Sequence, residues 1–307
     1  MRWKLRAWLL GKMARLPGGY SAYQLLQRCA GLHCKPAYLA DRLTAQRDLA
    51  RQILESGGTL NGARVVEVGT GWVPLGPIGF WICGAEEVRT YDIHRHLLPS
   101  VLKKALCWMG GNQEPLVELW KGVAPAERVR DCLRIVREKS ARPWDVLREA
   151  RISYLAPADA ACTGLPDAST DIHYSISVLE HVSHEMILAI LHEGRRVLKS
   201  TGRTAHFIDP TDHFAFFDDS ITDINFLQYT NDQWRRYAGN ALAYHNRLRD
   251  GDFEGLFAAA GFQVLEHTFA LDTRAYQALR QDFKLAAEFR DRDPEEVCRR
   301  DLVFVGG

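Results

Sequence analysis

Glu67, Gly69, Thr70, Gly71 and Trp72 stand together in the run RVVEVGTGW, residues 64–72. The paired glycines permit positive φ and let a ligand approach the backbone closely. The carboxylate of Glu67, two residues ahead, adds an acceptor. A nucleotide-type ligand fits that combination, held at a strand, a tight turn and the start of a helix. A second carboxylate, Asp92, ends the segment EVRTYD, 25 positions after Glu67. A carboxylate at such a strand end accepts hydrogen bonds from both ribose hydroxyls. Ile93 follows and offers an apolar face to a purine. A third group, Asp209, Asp212 and His213, sits after RTAHFI, and His181 follows Glu180. Asp209 or Asp212 suits a substrate amine, and His213 or His181 suits proton transfer. Each also has a plainer reading: a strand-terminal carboxylate at Asp92, a capped polar loop at 209–213.

The elements that must position these residues follow from the pattern. Val65, Val66 and Val68 are β-branched and suit a buried parallel strand. The segment Pro77 to Cys83 reads as the next helix, Glu87 to Asp92 as the second strand and Ile152 to Leu155 as the third. A dinucleotide G-x-G-x-x-G is excluded, because position 74 is Pro74.

The pattern E-x-G-x-G over Glu67, Gly69 and Gly71 resembles motif I of the class I S-adenosylmethionine (SAM)-dependent methyltransferases, with Val73 at the usual third glycine. Two further blocks carry the same resemblance. One is Asp159-Ala160, Leu165-Pro166, Asp171, a strand from Ile172 to Val178, then Leu179-Glu180-His181-Val182. The other is RVLKSTG, residues 196–202, similar to the family's R-V-L-K-P-G-G with Ser200 for proline. The resemblance implies a Rossmann-like α/β fold with a seven-stranded sheet whose last strand is antiparallel. It implies SAM as cofactor, with Glu67 orienting the ligand, Asp159 and Ala160 at the adenine, and Ile176 and Ser177 at the methionine end. It implies a SAM-binding domain over 58–307 beneath a helical N-terminal cap, 1–57. Tyr20, Tyr23 and Arg42 are lid candidates, Arg42 as partner of the SAM carboxylate, against ordinary helix packing for each.

Residues 94–150 exceed what one crossover needs. They read as a helical insertion beside the active site, with Trp108, Trp120 and Trp144 either shaping a substrate pocket or anchoring the insertion. Downstream, Phe253 to Ala260 reads as a helix, Gly261 to Leu265 as the sixth strand, Thr273 to Phe289 as an inserted helix and Leu302 to Val305 as the last strand. Phe214, Phe216 and Phe217 are expected in the core. Arg235, Arg236, Arg247 and Arg249 suit an anion or a groove wall, with Tyr244 and Asn246 closing the pocket from above.

The 307 residues balance 39 Lys and Arg against 38 Asp and Glu, so no global field favours nucleic acid. The seven cysteines are odd in number and without a C-x-x-C pair, which points to a reducing compartment and against structural zinc. Glu180-His181-x-x-His184-Glu185 fits neither zincin order, and no metal is expected. No stretch is apolar enough to span a membrane. The basic, apolar start reads as packing Trp3, Trp8 and Leu9 onto the protein's own body, with a membrane-surface helix as the alternative. The expected function is methyl transfer from SAM to a small-molecule substrate in the cytoplasm. One alternative makes SAM the sole substrate, its own amine closing the aminocarboxypropyl arm to azetidine-2-carboxylate and releasing methylthioadenosine. The other is a silent SAM-binding protein. Oligomeric state is left open.

Overall fold

The computed structural model describes residues 2–307. Three helices precede the sheet: α1 (Trp3–Ala14), α2 (Gly19–Ala30) and α3 (Pro36–Glu55). Pro36 opens α3 at a position where its missing N–H costs nothing. The β-branched run then forms β1 (Arg64–Val68), whose last four residues are buried. Helix α4 (Leu75–Ile82) starts right after Pro74 and is buried along its whole length. Strand β2 (Glu87–Tyr91) pairs parallel to β1.

The insertion holds α5 (Pro99–Gly111), α6 (Gln113–Leu119), α7 (Ala126–Lys139) and α8 (Pro143–Glu149). Arg128 of α7 donates to the carbonyls of Trp81 and Ile82, at 2.8 and 3.0 Å, and so satisfies the open C-terminal end of α4. Trp120 is fully buried and donates its indole N–H to Gln46 Oε1 on α3 at 3.1 Å. The insertion therefore packs on the α3–α4 side of the sheet.

Strands β3 (Ile152–Leu155) and β4 (Thr170–Ile176) flank β2 and β1. Ser183 caps α9 (His184–Val197), which runs straight into β5 (Leu198–Ile208). Ser200 lies inside that strand, at an irregularity between the pairs Thr170–Leu198 and Ile172–Arg203. After α10 (Asn231–Ala238) and α11 (Asp250–Ala259) come β6 (Val264–Leu271), α12 (Thr273–Gln281), α13 (Pro294–Val297) and β7 (Arg299–Gly306). The sheet order is β3-β2-β1-β4-β5-β7-β6, and β7 runs antiparallel to both neighbours. This is the seven-stranded Rossmann-like sheet expected from the sequence. The outer pair is longer than its apolar core alone suggests, because β6 is half exposed and takes its partners from β7.

Among the described residues no helix is long and apolar enough to cross a membrane. Trp3 docks as expected, ringed by Phe214, Tyr229, Trp234 and Tyr237. Trp8 and Leu9 do not, being 57% and 44% exposed. Three buried contacts, Trp3, Ala7 and Leu10, suffice to hold α1 and turn those two side chains outward.

Candidate active site

The β1–α4 turn makes the floor of a cavity of about 740 Å³ at the C-terminal edge of the sheet. Gly69 has φ +82°, and a Cβ there would meet Val178 Cγ2 at 2.5 Å. Gly71 has φ +64°, and a Cβ there would stand in open space. One glycine lets β1 and β4 close together, and the other leaves the cradle empty for a ligand. Asp92 Oδ2 accepts from the Gly71 N–H and Oδ1 from the His94 N–H, both at 2.8 Å. Its remaining lone pairs are free for hydroxyl donors, since a carboxylate accepts about four hydrogen bonds.

Glu67 lines the same cavity but points into the sheet. Tyr174 donates to its Oε1 at 2.8 Å and Thr90 to its Oε2, and Thr90 in turn meets Thr70 of the turn. Glu67 thus orients the loop through Thr90 and Thr70. Burial pushes its carboxyl up to about 8, against the hydrogen bonds from Thr90 and Tyr174. The folded protein keeps a proton that the unfolded chain releases near pH 4.5, so stability falls as pH rises from about 4.5 to about 8 and levels off above. Glu67→Gln has no proton to lose. Its unfolding free energy, measured in urea, is expected to gain on the wild type by about 2–4 kcal/mol between pH 5 and pH 8.

Ile93, Asp159, Ala160, Ile176 and Ser177 all line the cavity, as do Gly69, Thr70, Gly71, Trp72 and Asp92. Ile93 is 64% exposed there, and Asp159 caps the Ala161 N–H at 2.8 Å. Ser177 adopts φ +54°, which a non-glycine residue rarely does. That bend turns its hydroxyl toward α3, where Arg42 Nη1 donates to it at 2.8 Å. Arg42 also lines the cavity, and its Nε is buried with no partner. An unpaired guanidinium N–H on the cavity wall fits a ligand carboxylate.

A second cavity of about 1340 Å³ shares His33, Tyr38, Ile93 and His181 with the first. Its walls come from α1 and α2, from His213 to Phe217 and from Gly239 to His245, and they are mostly apolar. Phe214 is buried as expected, but Phe216 and Phe217 are 55% and 45% exposed and face this chamber. Trp72 and His33 stack at 4.4 Å, with His96 and Tyr38 adjoining, at the junction. Desolvation lowers the His33 and His181 imidazoles to about 4, which leaves both neutral near pH 7, and lowers His213 as well. Neutral rings are the ones compatible with a neighbouring positive ligand.

His181 opens onto both cavities, and its ring packs edge-on against His213 at 4.8 Å. Asp209 Oδ2 lies 3.8 Å from His213 Nε2 and lines neither cavity. Asp212 departs from expectation. It is fully buried, holding the Phe214 N–H at 2.9 Å and the Asn225 amide at 2.8 Å, and it faces His245 rather than a chamber. Two hydrogen bonds draw it inward, so it positions the 212–225 loop. Glu180, His181 and His213 each offer one ligand atom within 4.8 Å of the others, and no motif spacing could have announced it, since His213 arrives from the loop after β5. Burial beside Asp209 raises the Glu180 carboxyl well above the usual range.

Other expectations are corrected by packing. Trp108, Trp120 and Trp144 line neither cavity, and the insertion helices lie away from the site. Arg247 and Arg249 are buried and bond to main-chain carbonyls of Phe226, Tyr229 and Pro210, so they hold the loops rather than an anion. Asn246 ties to Leu179 and Val182; Tyr244 does line the chamber. Tyr20 and Tyr23 also line it. The sequence reading missed His33, Tyr38, His96 and, apart from Tyr244, the 239–245 wall. Only His96, close behind Asp92, carried a signal by position.

A family model for the methyltransferase domain matches residues 118–205. That span holds the two later sequence blocks and leaves out the acid-glycine turn, which the insertion separates from them. No curated protein matches the chain. Among solved structures, one similar fold is 1,6-didemethyltoxoflavin-N1-methyltransferase of Burkholderia thailandensis, itself bound to 1,6-didemethyltoxoflavin and S-adenosylhomocysteine. It is 12% identical with a TM-score of 0.45, over 95% of this chain and 90% of that one. A SAM-dependent methyltransferase of Mesorhizobium loti is 15% identical with a TM-score of 0.41, over 83% and 95%. A phosphoethanolamine N-methyltransferase of Haemonchus contortus is 14% identical with a TM-score of 0.43, over 84% of this chain, which spans only 52% of that one. The methyltransferase-domain match over residues 118–205, the seven-stranded sheet and the acid-glycine cradle make the chain similar to the class I SAM-dependent methyltransferases.

Proposed function

We propose that the protein transfers the methyl group of SAM to a small, largely apolar acceptor held in the second chamber, under the helices of residues 1–57. The observation that carries this reading is the meeting of two cavities at His33, Tyr38, Ile93 and His181, one floored by the glycine turn and bearing Asp92 and Asp159, the other roomier and more apolar. SAM supplies an activated carbon on a positive sulfur, so displacement there asks for orientation and exclusion of water more than for a strong base. Gly69, Gly71 and Asp92 would hold the nucleoside side, with Ile93, Asp159 and Ala160 around the base. Arg42 and Ser177 would hold the methionine end. Trp72 and Tyr38 present aromatic faces suited to a cation. His181, kept neutral, is placed to take the acceptor's proton, with His213 and Asp209 behind it.

A self-directed reaction of the aminocarboxypropyl arm would favour a site without room for a second molecule, and the adjoining chamber speaks against that. The experiment is product analysis by mass spectrometry, with SAM alone and then with a panel of apolar phenols, amines and thiols. S-adenosylhomocysteine formed only with an acceptor supports the proposal. Methylthioadenosine formed from SAM alone overturns it.

A further inference from the structure

Charge is distributed very unevenly along this nearly neutral chain. Residues 1–40 hold seven Lys and Arg and not one Asp or Glu, so the rest of the chain is net acidic. The same segment carries a dense set of exposed apolar side chains. Leu16 is 63% exposed, Leu25 59%, Trp8 57%, Leu26 56% and Leu5 51%. The inner side of α1 is already used by Trp3, Ala7 and Leu10, so the outward residues have no partner among the described residues. Arg2, Lys4, Lys12, Arg15 and Lys35 are exposed among them, and Lys12 lies 5.7 Å over the Trp8 ring. A surface patch this apolar marks an interaction site. Its uniform positive charge selects the partner. Two copies of the face would repel one another, whereas an anionic bilayer offers lipid tails to Trp8 and the leucines and headgroups to the cations.

The chamber points the same way. Leu9 and Leu26 are exposed on the outer face and also line the apolar cavity, so its mouth opens within the patch. Leu10, Met13 and Tyr23 of the same two helices continue the wall inward. A molecule dissolved among lipid tails could pass between α1 and α2 without crossing water.

We propose that the outer face of α1 and α2 docks on an anionic lipid bilayer, and that the chamber beneath it receives its acceptor from that bilayer. The second half rests on the methyl-transfer reading; the first does not. The test is sedimentation of the full chain with vesicles of phosphatidylcholine alone and with about one third phosphatidylserine, near the anionic content at which each basic residue adds a measurable increment. Expected is binding to the anionic vesicles at least tenfold tighter than to the neutral ones, reversed by 0.5 M salt. Trp8→Glu with Leu25→Glu, both at exposed positions, should lose that binding while calorimetric SAM binding stays within twofold. Lys4→Glu with Lys12→Glu should lose it as well. Equal binding to both vesicles, no binding to either, or a stable dimer by light scattering whose association the Trp8→Glu change abolishes would each overturn the docking proposal. If docking holds but SAM alone yields methylthioadenosine, the membrane surface stands and the acceptor half falls.

Discussion

Asp92→Ala is expected to weaken SAM binding by about 100-fold or more in calorimetry, the loss of two charged hydrogen bonds at roughly 1.5–3 kcal/mol each. The geometry makes the effect larger than a lost contact. Asp92 also holds the Gly71 and His94 N–H groups at 2.8 Å, so its removal frees both the glycine turn and the start of the segment bearing His94 and His96. Asp92→Asn keeps one acceptor oxygen and should cost only about tenfold. Adenosine should lose affinity in parallel, because the proposed function sets this carboxylate at the nucleoside and not at the amino acid. An Asp92→Ala protein that binds SAM within threefold of the wild type would remove this cavity from consideration as the cofactor site.

Gly69→Ala is expected to lower folding stability by about 2–4 kcal/mol. Roughly 1–2 of this comes from an alanine at positive φ and the rest from overpacking. The methyl would meet Val178 Cγ2 at 2.5 Å and Cγ1 at 3.2 Å, two residues past the end of β4, the strand that β1 pairs with. Val178→Ala in the same chain should restore about 1 kcal/mol by removing the clash while leaving the backbone penalty, a coupling that a denaturant double-mutant cycle reads directly. Gly71→Ala is the control. It shares the positive φ but meets nothing within 4 Å, so it should cost about 1 kcal/mol of stability and act mainly by filling the cradle.

What could be read from the sequence was whatever local chemistry dictates. Glu67, Gly69, Gly71 and Asp92 declared themselves because strand ends and positive φ demand particular residue types at particular places. Sheet class followed from the β-branched runs and their order. The role of Glu67 was not legible, since Thr90 and Tyr174, which capture its carboxylate, come from two other strands. Arg42 could be nominated only by its chemistry. Its reach depends on the bend at Ser177, 135 residues away. Asp212 looked like a substrate ligand because loop carboxylates usually face water, and only the fold shows Asn225 waiting for it. The insertion was expected beside the site because it follows Asp92, but packing on α4 carries its helices elsewhere. The chamber walls, drawn from α1, α2 and the 239–245 loop, share no motif at all.

Gln46 lies one helical turn beyond Arg42 on α3, and its amide oxygen receives the indole proton of Trp120 while its stem fills the space over Gly79. That wedge locks the rotation and the axial height of α3 against two other helices at once. The four-helix lobe therefore serves as a mechanical stop for α3, and drift in its sequence can shift the height of Arg42 against Ser177 from a place that lines neither cavity.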